Sequence, residues 1–263
     1  MKQIIGFGYG NTEENLTIPA RQGALEARRS LVLVKFEGNG KSLSYYNDRF
    51  CLVPGDRVFV SGAYFGTPGI VESVTTKFKI NVSKYERVLS RAVTEIHGTY
   101  EKALNTMYSY DDTAMTAEDF RTWIISPPAD TDEDEEIICG EGYELDLFAI
   151  DENEDVNPAV FNRAVNYCQE GNVAYISVKD GIGKAYIEGT TWYEIDFRLE
   201  GDHMTEMYCD CPYPGLCKHL LAVALTIRAL AEQCSLDSGR DFVIMNSAWF
   251  WRIVTQTKNQ IAL

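Results

Sequence analysis

The stretch Met207-Tyr208-Cys209-Asp210-Cys211-Pro212-Tyr213-Pro214-Gly215-Leu216-Cys217-Lys218-His219-Leu220-Leu221 decides how this chain is read. It spells Cys-x-Cys, five intervening residues, then Cys-x-His. Three thiolates and an imidazole make a complete tetrahedral shell for Zn2+. Pro212, Pro214 and Gly215 bend the connection back, which both halves need if they are to meet at one ion. Cys217 and His219 open an apolar stretch of good helix formers running to residue 231. The positive end of that helix's dipole favours thiolate over thiol. Two other readings compete. Three buried free cysteines beside a core histidine would match the composition of many cores, but not this spacing. A redox Cys-x-Cys dithiol leaves Cys217 and His219 without a role.

The alternation upstream supplies a scaffold. Tyr193, Ile195, Phe197 and Leu199 alternate with Glu194, Asp196, Arg198 and Glu200, the pattern of a strand with one buried and one wet face. Residues 174–178 and 184–188 predict two more strands joined by the Asp180-Gly181-Ile182-Gly183 turn, and residues 158–169 predict a helix stopped at Gly171. With these residues in place, the sequence resembles the SWIM zinc finger family, in which a short helix and a small sheet precede Cys-x-Cys and Cys-x-His followed by an apolar helix. The resemblance covers about residues 160–232. It implies that Cys209, Cys211, Cys217 and His219 are the zinc ligands. It also implies that the domain binds DNA or protein and is not itself an enzyme. A shell with four protein ligands has no open position, so its zinc would be structural.

Further upstream, residues 31–36, 43–46, 57–60 and 70–74 read as short strands separated by turn signals every 8–12 residues, with residues 75–80 continuing as an edge. That spacing predicts a small closed barrel or sandwich, with a β-barrel-like unit the preferred form. Thr116 precedes a short capped helix carrying Phe120, Trp123 and Ile124 on one side. The fold expected is therefore α+β: a basic, barrel-like domain over 1–102, an acidic connection over 103–157 with a loop at 126–137, and a zinc module of a small antiparallel sheet and a helix over 158–263. The aromatic tail after residue 241 should pack rather than float.

Charge divides along the same lines. The whole chain carries 39 acidic and 24 basic residues, net −15, which repels nucleic acid and anionic membrane at long range. Residues 21–102 instead hold 13 basic and 8 acidic residues, net +5. Lys41, Arg49, Arg57, Lys77, Lys79 and Lys84 stand there near Tyr45, Tyr46, Tyr64 and Phe65, a combination that fits either a small barrel that binds nucleic acid or a basic barrel that docks the acidic half of the same chain. The expected partners are nucleic acid through residues 21–102, or a protein through the acidic half, with no membrane. Seven cysteines, an odd number, without a secretory leader argue against a disulfide framework and for a cytoplasmic protein. No nucleophile elbow, phosphate loop or His-Glu-x-x-His motif suggests catalysis.

Overall fold

A computed structural model describes residues 4–5, 29–37, 40–125 and 139–261. The acidic run at 130–136, and the whole of the loop expected at 126–137, lie outside the described residues. The chain divides into two compact units. The larger holds residues 1–7, 96–120 and 126–258, and the smaller holds 8–95, 121–125 and 259–263. The first strand, β1 (Ile4–Ile5), belongs to the larger unit.

The smaller unit is one antiparallel sheet of β2 (Ser30–Phe36), β3 (Ser42–Asn47), β4 (Arg57–Val60), β5 (Gly69–Thr75) and β6 (Val88–Arg91), in the order β3-β2-β5-β4-β6. Along β2, Val32, Val34 and Phe36 turn inward while Lys35 faces water, as a period of two requires. Val58, Val60, Val71, Val88 and Tyr45 fill the same core. The two edge strands meet at one point, where the Tyr46 N–H donates to the Glu86 carbonyl at 2.8 Å. A single parallel bridge, Tyr46–Arg87, marks the contact. The sheet thus curls toward a barrel, but among the described residues no ladder closes it. β5 ends at Thr75, and residues 76–80 leave the sheet instead of continuing its edge. Trp123 anchors the unit's outlying segment, donating its indole N–H to the Val93 carbonyl at 2.7 Å and packing edge-on against Phe59.

Among the described residues, the larger unit is built on a nine-stranded sheet. Its strands are β1, β7 (Tyr100–Ala103), β8 (Thr106–Ser109), β9 (Leu145–Asp146), β10 (Val173–Lys179), β11 (Ile182–Glu188), β12 (Trp192–Glu200), β13 (His203–Cys209) and β14 (Phe242–Asn246). Their order is β1-β7-β8-β14-β10-β11-β12-β13-β9, every neighbour antiparallel. The three predicted strands, β10 to β12, form its middle, and residues expected to act only as a connection supply β8 and β9. The helices are α1 (Ala117–Arg121), α2 (Pro158–Glu170), α3 (Lys218–Cys234) and α4 (Ser247–Ile261). The aromatic tail packs as expected, with β14 slotting between β8 and β10 before α4 begins.

Both faces of the sheet are covered. Ile176, Ala185, Ile187, Ile195, Phe197 and Leu199 meet Leu220, Val223, Ala224 and Ile227 of α3 in one core. On the other face Phe120 stacks on Tyr175 at 4.8 Å and on Tyr186 at 5.9 Å, and meets Trp249 edge-on. α2 starts where the Asn157 side chain accepts the Ala159 N–H at 2.9 Å, with Pro158 behind it at a position that needs no donor. It stops at Gly171, left-handed at φ +76°.

Candidate metal centre

β13 delivers Cys209 at its last position, and the loop through Pro212 and Gly215 returns the chain so that Cys217 caps α3. The cap is made by sulfur: the Leu220 N–H donates to Cys217 Sγ at 3.4 Å. Cys209, Cys211 and Cys217 thereby converge on the lower edge of the helical core, 0%, 3% and 1% exposed. A fourth sulfur joins them. Cys139, 0% exposed, pairs its backbone with Cys209 in an isolated antiparallel bridge, the Cys209 N–H donating to the Cys139 carbonyl at 3.2 Å. The ligand atoms of Cys139, Cys209, Cys211 and Cys217 all lie within 4.8 Å of one another. Cys139 and Cys211 are 3.7 Å apart, sulfur to sulfur.

His219 stands beside this cluster, with Nδ1 3.7 Å from Cys209 Sγ. Its ring is clamped between two tyrosines, stacked on Tyr193 at 3.9 Å and edge-on to Tyr167 at 5.4 Å. Its Nε2 is buried and has no hydrogen-bond partner. A cleft of about 240 Å³ reaches the centre along Cys211, Cys217 and His219, with Arg163, Tyr213 and Lys218 on its walls.

Crowding divides the thiols into two kinds. Contacts with Cys139, Cys211 and Cys217, and then burial, push Cys209 far above the ordinary thiol range. Cys139 also rises: its Cys209 contact pulls it down, but Cys211, Cys217 and burial outweigh that pull. The contacts with Cys139 and Cys209 hold Cys211 well down, and Cys217 is held down to about 6, by Cys139 first. Burial opposes a charge on His219, yet Cys211 and Cys217 keep its imidazole above the ordinary value. Burial lifts Asp210, between two of the cysteines, to about 6, while it accepts the Glu194 N–H at 3.0 Å. Four buried thiols this close together, with an imidazole beside them, make a good seat for a divalent cation, which removes the repulsion among those that ionise.

Of the four residues expected from the sequence, Cys209, Cys211 and Cys217 are brought into one cluster, and His219 lies beside it with Nδ1 3.7 Å from Cys209 Sγ. Cys139 was not singled out by its pattern: it stands 70 positions before Cys209, separated from an acidic run by Ile137 and Ile138, with no second ligand beside it. Only the sheet edge puts it in reach. His203 lies exposed on β13, and Cys234 packs against the helical core; neither joins the cluster.

The expected nucleic-acid residues separate. Lys41, Arg49, Lys77, Lys79 and Lys84 are exposed. Arg57 corrects the expectation: it is 1% exposed and its guanidinium reaches Glu37 at 3.2 Å. It sits on β4, where every residue is buried, so its charge serves the inside of the sheet. Tyr45 and Tyr46 are buried too, while Tyr64 stacks on Phe36 at 4.2 Å. The exposed cations of the expected set are thus four lysines and Arg49, and of the expected aromatic residues Phe65 is 40% exposed.

Residues 193–228 match the family model of the SWIM zinc finger, a span running from β12 through the cysteine loop into α3. The match and the buried cysteine cluster together identify a zinc-binding centre. No curated protein and no solved structure matches the chain. Among the described residues, no helix is long and apolar enough to cross a membrane.

Proposed function

We propose that this chain is a non-enzymatic interaction protein whose zinc centre is structural and whose smaller unit contacts nucleic acid. The observation that carries the first half is the buried cluster itself: Cys209, Cys211 and Cys217 at the junction of β13 and α3, inside the SWIM match. Those three supply sulfur to the metal, and two groups, His219 and Cys139, stand beside them for the fourth position. Filling that position with protein leaves none for a substrate or a reactive water, so the metal would serve folding rather than chemistry. When bound, zinc supplies a cross-link between the end of the sheet and the start of α3, replacing the repulsion of clustered thiolates with attraction.

Support for the second half comes from charge. Lys77, Lys79 and Lys84 are exposed within a net +5 region, whereas residues 174–232 around the centre hold 5 basic and 9 acidic residues. Phosphates would therefore go to the smaller unit. The test is a gel shift with single- and double-stranded DNA and RNA at two salt concentrations. Binding should weaken steeply with salt, and Lys77→Glu with Lys79→Glu should flatten that slope by about two units if each lysine neutralises one phosphate. Absence of any shift at low salt would remove this reading. The acidic surroundings of the centre favour a second reading, an adaptor for a basic protein partner. That reading predicts a pull-down partner that survives nuclease treatment.

A further inference from the structure

We infer that Cys139, from outside the zinc-finger motif, is the fourth metal ligand, giving a four-sulfur shell beside which His219 acts as a hydrogen-bond donor. The inference rests on the zinc reading above and specifies its ligand set.

The geometry favours Cys139. A tetrahedral zinc thiolate shell with Zn–S bonds of about 2.3 Å has sulfur–sulfur edges of about 3.8 Å. The Cys139–Cys211 pair stands at 3.7 Å, and all four sulfurs fall within 4.8 Å of one another. Cys139 is also held where it is. Its backbone is tied to Cys209, and the next residue, Gly140, is left-handed at φ +91° with no room for a side chain. A Cβ there would lie 2.6 Å from Leu220 Cδ1 and 2.9 Å from the Met207 carbonyl oxygen. The chain is thus wedged between β13 and α3 at the position that aims Cys139 into the cluster. A fully buried thiol tied in this way, against three others, has a ligand's placement rather than that of a core filler.

Charge balance gives His219 its place. Four thiolates around Zn2+ leave a net charge of −2 in a buried site, which N–H donors to sulfur must offset. The Leu220 N–H donates to Cys217 Sγ at 3.4 Å, and the His219 ring nitrogen Nδ1, 3.7 Å from Cys209 Sγ, becomes a second donor in the tautomer that carries its proton there. The tyrosine clamp fixes the imidazole for that contact. On metal binding the thiols that still carry protons release them to solvent, and Cys139 gives up its 3.2 Å contact with the Gly215 carbonyl. The consequence is topological. A metal bound this way staples residue 139, and so the end of the acidic segment, to the finger.

The test is zinc-edge X-ray absorption on the full chain, with metal content measured alongside. Four sulfurs at about 2.3 Å in the unaltered protein and in His219→Ala, and three in Cys139→Ser, are the result expected. Three sulfurs with one nitrogen in the unaltered protein would overturn the inference, as would four sulfurs in Cys139→Ser. If Cys139→Ser fails to fold, the spectra of the unaltered protein and of His219→Ala still decide. Zinc bound with the wrong ligands defeats only this inference; a chain that takes up no zinc defeats the reading it rests on.

Discussion

At the scale of single residues, the centre depends on positions that tolerate little. Gly140 combines a left-handed backbone with contacts closer than any Cβ can take. Gly140→Ala should therefore cost roughly 1–3 kcal/mol, read as a lower urea midpoint, because backbone strain and a clash arrive together. An unchanged midpoint would mean that the segment is free to move. Cys211→Ser removes a sulfur present in any ligand set for this site. It should abolish stoichiometric zinc and lower the melting temperature, checked by metal analysis and circular dichroism; retention of both would show that the cluster does not hold the metal. The motif residues were legible here because short-range spacing carries them: a Cys-x-Cys and a Cys-x-His on either side of a Pro-Gly bend can meet without help. Cys139 was not legible, since its partner is chosen by strand pairing across 70 positions. Arg57 was misread for a related reason: charge suggests exposure, and only the packing of β4 turns this guanidinium inward beside Glu37.

At the scale of elements, local rules did most of the work. α2 has its cap, its proline and its terminal glycine in the expected places, so Asn157→Ala should cost about 1 kcal/mol by thermal or chemical denaturation. A loss near zero would show that the Asn157 cap does not matter. β12 follows its alternation, with Ile195, Phe197 and Leu199 buried. Its wet face carries an ion pair, Lys184 with Glu194 at 2.5 Å and Asp196 at 3.2 Å. Burial opposes the ammonium, but the two carboxylates outweigh it and raise the folded pKa of Lys184. The stabilisation is therefore complete below the ordinary lysine value and disappears as pH rises through the folded value. Because the side chains are partly exposed, Lys184→Met should cost under about 1 kcal/mol near neutral pH. The gap in melting temperature between the two proteins should close in strong alkali; a gap that widens there would reverse the sign of the argument. What local rules missed was β14, which reads as a tail and becomes a central strand because β8 and β10 leave a two-sided slot for Val243, Ile244 and Met245.

At the scale of the molecule, zinc touches one of two units. Strong chelation should remove hydrogen-exchange protection from β12, β13 and α3 while leaving β2 and β5 protected. Equal loss in both would show that the units do not fold separately. The net charge of −15 is likewise an average, over a smaller unit with exposed lysines and a larger one that is acidic. The sequence alone determined the zinc-binding motif, the α+β class, the strands with clear alternation and the division of charge, because each depends on neighbours within a turn, a strand or a helix. Tertiary structure alone decided that nine strands form one sheet, that the last strand enters its middle, that Arg57, Tyr45 and Tyr46 point inward, and that a fourth cysteine completes the cluster. Those are long-range pairings, selected by which distant surfaces bury each other best, and spacing along the chain carries no record of them.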